Sequence, residues 1–295
     1  MDPVTGSRQL GADGGDGVGA ADVVGGQGAP SSAAQERHDI DNTYDARGLV
    51  ELDGTTPKIS EIDGESAQFD AKDLSTRKIN AELKWLLYEQ GVRDVTVFNP
   101  SARHSLGVGI LTRCRVTFEG SLGYFGCGLG DGAEFQINGR VGWSVAENMM
   151  SGSVVIESNA GSLCGAALRG GDLVVKGQVG ARTGIDQKGG TIVVMGSAGS
   201  MTGFMMQRGR QIICGDVGPG LGDSMYDGTL YVGGKVAALG VDCVEGEWND
   251  ADTELIERKF RIYGLGAPPR FQKFVCGKKL YNYDSLEPSE RKLVL

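Results

Sequence analysis

The chain has 295 residues, of which 40% are hydrophobic and 23% charged, enough for one large core or two modest ones. Its formal net charge of −9 argues against a nucleic-acid partner, because phosphate binding requires clustered lysine and arginine. No apolar run approaches the ~20 residues of a membrane span, so we expect no membrane contact. The cysteines form no C-x-x-C pair and follow no signal peptide, so we expect them to be reduced and the protein to be cytoplasmic.

The first 40 residues contain few bulky apolar side chains. Such a segment cannot bury enough surface to offset its ordering entropy, so we predict that residues 1–40 are a disordered tail rich in glycine and alanine. The glycine run from Gly11 resembles a dinucleotide-binding loop only superficially, because no strand precedes it and no helix follows.

Residues 41–94 are interpreted as an N-terminal extension with a capping helix. The pattern predicts a helix from Leu74 to Gln90, with Asp73 or Ser75 as its cap and a stop at Gly91. Four apolar residues recur on one face at helical spacing: Ile79, Leu83, Leu86 and Leu87. The segment VRDVTVF alternates as a strand, so we expect a solenoid to begin near Val95 with the helix over its first open end.

From Val116 to Val241 the sequence repeats every nineteen residues without insertion, which is a solenoid signature. Two columns of the repeat are apolar in every coil. The third column holds Phe118, Ile137, Ile156, Val175, Val194, Ile213 and Val232. The seventh column holds Leu122, Val141, Ala160, Val179, Ala198, Val217 and Val236.

Glycine occupies three further columns of the repeat. The fifth has glycine at 120, 139, 177, 196, 215 and 234, the eighth at 123, 142, 161, 180, 199 and 218, and the eighteenth at 152, 171, 190, 209 and 228. Interior glycines destabilise helices, but they suit tight corners and close stacking of backbone. We therefore predict an all-β fold over residues 95–244, a right-handed, single-stranded parallel β-helix of seven or eight 19-residue coils with flanking capping helices.

Residues 245–295 are interpreted as a C-terminal cap and tail. Asp250 or Asp252 could cap a short helix whose apolar face is Leu255, Ile256 and Phe260, and this helix would cover the other end of the solenoid. The basic tail that follows either wraps the solenoid or docks on a partner. Its aromatic residues are Phe271, Phe274, Tyr281 and Tyr283.

Two glycine motifs raise the possibility of a phosphate cradle: Gly126-Cys127-Gly128-Leu129-Gly130, and Gly107 with Gly109. A cradle needs a helix N-terminus after the glycine loop, so we favour coil corners. Cys127 could act as a nucleophile only with a base nearby, and His104, about one coil earlier, is the only histidine after the predicted tail. We favour six reduced, structural cysteines, because no C-x-x-C pair occurs.

Charged pairs one period apart offer a further hypothesis. Asp223 and Asp242 could form an acid and base pair, but solvated residues at a rim are favoured, and the same holds for Arg169 above Lys188. The methionines are interpreted as core filler or as an apolar face for a partner: Met149, Met150, Met195, Met201, Met205, Met206 and Met225. We predict no catalytic, cofactor-binding or metal-binding residue, and therefore a rigid protein-binding scaffold.

The glycine spacing Gly177-x-x-Gly180-x-x-x-Gly184, repeated at Gly196, Gly199 and Gly203, resembles the C-terminal glycine-motif β-helix domain of the glutamate synthase large subunit. The resemblance covers about residues 95–241. It implies a structural role without catalytic residues in this chain. It also implies a hetero-oligomer in which an amidotransferase-like subunit and an FMN-binding synthase subunit, with or without an iron–sulfur cluster, carry the chemistry.

The predicted helix and the tail segment Phe271-Gln-Lys-Phe274 look most like the stand-alone small-subunit family of N-methylglutamate synthase, a methylamine–glutamate N-methyltransferase. Two alternatives stay open. One is a subunit of glutamate synthase or of formylmethanofuran dehydrogenase, and the other is an independent protein-binding module.

Overall fold

The computed structural model describes residues 60–277, which form a parallel β-helix of about eight turns with two helices. This confirms the predicted fold class. The predicted tail 1–40, Tyr281 and Tyr283 lie outside the described residues. Within residues 60–277 no helix is both long enough and apolar enough to cross a bilayer.

Twelve strands form the main sheet, in the order β1-β2-β3-β4-β5-β6-β7-β8-β9-β11-β14-β13, while β10 and β12 form a second sheet. The strands are β1 (Glu61–Asp63), β2 (Ser66–Asp70), β3 (Asp94–Phe98), β4 (Arg115–Glu119), β5 (Glu134–Ile137), β6 (Ser153–Ile156), β7 (Asp172–Val175), β8 (Lys188–Val194), β9 (Arg208–Ile213), β10 (Val217–Leu221), β11 (Thr229–Val232), β12 (Val236–Leu239), β13 (Cys243–Glu245) and β14 (Gln272–Cys276). The helices are α1 (Thr76–Lys84), continued by a π-helical turn over Trp85–Glu89, and α2 (Asp250–Tyr263).

The nineteen-residue stride appears directly in the strand register. Ile156 of β6 lies opposite Val175 of β7, which in turn lies opposite Val194 of β8. In the seventh column, Leu122 and Val141 form a parallel bridge. Third-column side chains are buried from Phe118 to Val232 and belong to the main hydrophobic core, whereas Val236 of the seventh column is only partly buried.

Glycine serves two different purposes in the coils. In the eighteenth column the backbone is left-handed, as at Gly152, whose φ is +93°. A Cβ at Gly152 would in addition lie 2.1 Å from the carbonyl oxygen of Ala133. In the eighth column the reason is space alone, because a Cβ on Gly180 would lie 2.5 Å from the amide nitrogen of Ser162 in the preceding coil. The glycine columns therefore set how closely successive coils approach.

The parallel ladder begins earlier than the expected start near Val95. Strand β2 already pairs in parallel with β3, with Ala67 opposite Val95. Helix α1 consequently lies in the connection between the first two parallel strands, rather than before the solenoid. Ser75 caps it as predicted, with Oγ accepting from the amide of Lys78 at 3.3 Å, and its predicted apolar face is buried in the main core.

The C-terminal end differs from the expected helical cap. Strand β14 pairs antiparallel with β11 and so covers the edge of the last parallel strand of the main sheet. Helix α2 instead lies on the side of the sheet, where Ile256 and Phe260 contact the outward-facing Val174, Val193, Ile212 and Tyr231. Its N-cap is Asn249, with Asp252 as the reciprocal partner, and not Asp250. Phe274 is buried, so this part of the tail wraps the solenoid.

Candidate interaction surface

Each coil contains a stretch in which left-handed backbone recurs at every second residue. In one coil Phe125, Cys127 and Leu129 have φ of 60°, 57° and 56°, although none is glycine. Their amides bond alternately forward and backward: Phe125 donates to the carbonyl of Trp143 at 2.8 Å, and Cys127 donates to that of Leu106 at 2.8 Å. These bonds to both neighbouring coils hold the unfavourable backbone conformation.

This alternation sorts side chains between the core and the surface. Cys127, the middle residue, is fully buried, whereas Phe125 and Leu129 are 49% and 50% exposed. The same three positions recur in later coils, for example at Met201, Gly203 and Met205. The coils of Phe125 and Met205 thus present outward side chains at these positions, whereas Ser144, at the first position of another coil, is buried.

Aromatic rings stack along the neighbouring column of this side. The ring of His104 lies 4.6 Å from that of Tyr124, and Tyr124 lies 5.5 Å from Trp143, which is 52% exposed. We call the outward apolar residues of these coils the apolar face: Tyr124, Phe125, Leu129, Trp143 and Met205. Exposed Tyr, Trp, Phe and Met held by a rigid backbone are typical of protein-binding surfaces.

The apolar face was only partly predictable. The methionine pattern indicates Met205, whereas Tyr124 and Trp143 carry a different signal, since they are nineteen residues apart and the stride makes them neighbours. Of the other methionines, Met149, Met206 and Met225 are buried core residues, as the filler interpretation expects, and Met150 is 42% exposed.

The hypothetical pair of Cys127 and His104 does not form a nucleophile and base. Cys127 has no exposed surface, and burial raises the pKa of its thiol well above the ordinary value. His104 is exposed, and its Nδ1 accepts a hydrogen bond from the amide of Tyr124 at 2.8 Å. A buried thiol with a raised pKa is inert rather than activated.

The glycine motif around Cys127 serves coil stacking, as favoured. A Cβ on Gly128 would lie 3.3 Å from the carbonyl oxygen of Glu147, and the next regular element after Gly130 is strand β5. A phosphate cradle would need a helix at this point. The motif therefore supports the coil and supplies no anion site of that kind.

The charged pairs one period apart are also not brought together as a site. The register shifts between Pro219 and Leu221, so Gly240, and not Asp242, lies against Asp223. Lys188 pairs with Asp186 at 2.5 Å, and Arg169 is exposed. Among residues 60–277 there is no group of three His, Cys, Asp or Glu side chains that could hold a metal ion. The lack of catalytic and cofactor residues stays a prediction.

No protein-family model matches the chain. A comparison with known proteins finds Protein GlxC of Rhizobium meliloti (strain 1021), with 42% identity over 89 residues. The match covers 28% of this chain and 38% of GlxC, so the chain spans well under half the length of the relative it matches. The similarity supports a common family for this stretch of the two proteins.

Proposed function

We propose that this chain is a structural subunit of a glutamate-synthase-related complex. It holds an amidotransferase-like subunit and an FMN-binding synthase subunit in place, and both of these carry the chemistry. The similarity to Protein GlxC and the glycine pattern of the coils support the relationship. The apolar face, with Trp143 at 52% exposure, is the observation that carries the scaffold role.

The physical basis of this role is stiffness. Coils advance by about 4.8 Å each and are joined by backbone hydrogen bonds along the main sheet and the left-handed stretches, so the outward side chains keep fixed spacings. A preformed surface avoids the entropy cost of ordering side chains on binding. The ring of Tyr124 contacts that of His104 and stacks on that of Trp143, so each ring restricts its neighbour.

Within the glutamate-synthase relatives we propose an N-methylglutamate synthase, in which methylamine replaces ammonia on glutamate. The support comes from the flanks that resemble its small subunit, helix α1 and the segment Phe271-Gln-Lys-Phe274. FMN belongs to a partner subunit in this proposal, since no residue of this chain is assigned to it.

Native purification of the full chain from its source tests the proposal. We expect a yellow complex of three different chains, with flavin absorbance and partners that mass spectrometry identifies as amidotransferase-like and FMN-barrel proteins. The complex should form N-methylglutamate from glutamate and methylamine and release ammonia. A colourless monomer would contradict the scaffold role, while a complex active only with glutamine as nitrogen donor would contradict the methylamine assignment alone.

A further inference from the structure

An arginine-lined groove of about 880 Å³ runs along one corner of the first coils. Arg93, Arg113 and Arg115 line it, and Glu134 is the one carboxylate among its lining residues. We call this feature the arginine groove. Its positive charge stands out because the chain as a whole has a formal net charge of −9. It is separate from the apolar face, with which it shares no residue.

The stacking of coils places the three arginines along one groove. The amide of Arg115 donates to the carbonyl of Arg93 at 2.7 Å, which fixes these residues in adjacent coils. Nη1 of Arg93 donates to Oγ1 of Thr112 at 3.2 Å. Gly132 and Gly152 line the groove without side chains, so the space before the guanidinium groups stays open.

The guanidinium groups keep hydrogen-bond capacity for a ligand. Arg115 pairs with Glu134 at 3.3 Å, but the two side chains are 61% and 59% exposed. An ion pair this exposed contributes little to stability. Asp131, which precedes the lining residue Gly132 in the chain, accepts a hydrogen bond from the hydroxyl of Ser151 at 2.5 Å. Arg113 forms no ion pair with any of residues 60–277. Partner carboxylates could therefore bind in bidentate fashion without breaking a buried pair.

Exposed apolar residues adjoin the groove. Leu111 is 58% exposed and Tyr88 is 46% exposed, and the amide of Leu111 donates to the hydroxyl of Tyr88 at 2.7 Å. Leu111 leads directly into Thr112 and Arg113 of the groove. A ligand that used this whole surface would combine carboxylates with apolar side chains, which a free oxyanion does not.

We propose that the arginine groove is the docking site for an acidic segment of a partner protein. Glutamate and aspartate side chains of that segment pair with Arg93, Arg113 and Arg115, and its apolar side chains cover Leu111 and Tyr88. The charge complementarity sets the orientation and the rate of association. The inference rests on the proposed function in one respect, namely that the chain has partner subunits.

Fluorescence anisotropy with the purified full chain tests the proposal. The probe is a fluorescein-labelled peptide of sequence Glu-Glu-Leu-Glu-Glu-Leu-Glu-Glu, compared with the same peptide carrying glutamine in place of glutamate. We expect binding of the glutamate peptide only, with affinity that falls as salt rises. The variant R93E/R113E should bind about 10-fold more weakly or worse. The control R258E changes an exposed arginine on α2 and should bind as the unmodified chain does.

Three results would overturn the proposal. One is equal binding of both peptides, and another is equal affinity of R93E/R113E and the unmodified chain. The third is that the glutamate peptide does not bind while inorganic phosphate stabilises the unmodified chain. This stabilisation would be a rise in unfolding temperature that R93E/R113E does not show at equal ionic strength. That result would assign the groove to a small oxyanion. None of these outcomes bears on native co-purification, so the proposed function is tested separately.

Discussion

The hydroxyl of Tyr231 donates a hydrogen bond to Oδ1 of Asp252 at 2.7 Å, and this bond connects strand β11 to helix α2. Oδ2 of the same carboxylate accepts from Nζ of Lys273 at 2.8 Å, and these two side chains are 8% and 11% exposed. Three segments distant in sequence therefore meet at one carboxylate. A similar contact lies further along α2, where Lys259 and Tyr263 both donate hydrogen bonds to the carboxylate of Asp172.

Replacing the central carboxylate should loosen the C-terminal segment. We expect Asp252→Asn to lower the free energy of unfolding by about 3–5 kcal/mol, because it leaves the nearly buried Lys273 ammonium without its counter-charge. The measurement is urea unfolding followed by circular dichroism. The matched control is Asp250→Asn, an exposed carboxylate in the same first turn, which should change stability by less than about 1 kcal/mol. Equal effects of the two variants would show that the network does not stabilise the fold.

The same carboxylate predicts how stability depends on pH. Burial by itself raises the pKa of Asp252, but hydrogen bonds from Lys273, Tyr231 and the Asn249 amide outweigh it, and the pKa lies below its ordinary value. When the pKa of a carboxyl is lower in the folded state than in the unfolded state, the group stabilises the fold at pH values above its unfolded pKa, which is near 4 for aspartate. This stabilisation is lost as the pH falls through the folded-state pKa. Urea midpoints should therefore hold steady from neutral pH to about pH 5 and fall below about pH 4. Asp252→Asn should show a smaller fall, and an identical one would contradict this assignment.

Two glycine positions separate backbone strain from close packing. Gly152→Ala should destabilise the chain by about 3 kcal/mol or more, since its φ is +93° and the new Cβ would lie 2.1 Å from the Ala133 carbonyl oxygen. Gly91 also has positive φ, +71°, but a Cβ there meets nothing within 4 Å, so Gly91→Ala should cost only about 1–2 kcal/mol. Chemical denaturation of both variants measures the difference. Equal losses would mean that coil stacking does not require glycine in the eighteenth column.

The buried cysteines should be unreactive in the folded chain. Cys127 and Cys164 have no exposed surface, and burial raises the pKa of Cys164 to about 12. We expect iodoacetamide at pH 8 to leave both unmodified in the native protein and to modify both in urea, as read by mass spectrometry. Cys127→Ser should leave a complex with its activity intact. Rapid native labelling of Cys127, or loss of turnover in that variant, would restore it as a candidate nucleophile.

The coils are predictable from the sequence because a fixed repeat length produces a periodic pattern of residue types. Stacked positions such as Ile156 and Val175 share one buried environment, so both are apolar and β-branched. Helix α1 was predictable for a similar reason, because its buried face follows the helical period. Its place between β2 and β3 was not, since local periodicity says nothing about which strands pair across an insertion.

Other features have no sequence signal, or one that lies in a single column of the repeat. Left-handed backbone at Phe125 and Leu129 has none, because hydrogen bonds between coils, and not glycine, impose it. The position of α2 did have a signal. The outward second column changes from Thr117 and Gln136 in early coils to Val174, Val193, Ile212 and Tyr231 in later ones, which indicates that something covers the later coils.

The scaffold role depends most directly on the apolar face, so its removal is the decisive measurement. The tagged unmodified chain, the variant Tyr124→Ser/Trp143→Ser and the control Ile262→Ser, which removes an exposed residue on α2, are each expressed in the source and purified under native conditions. Size-exclusion chromatography with mass spectrometry should find partner subunits with the unmodified chain and the control, and the double variant folded but alone. An unmodified chain that elutes alone, or a double variant that retains every partner, would contradict the account.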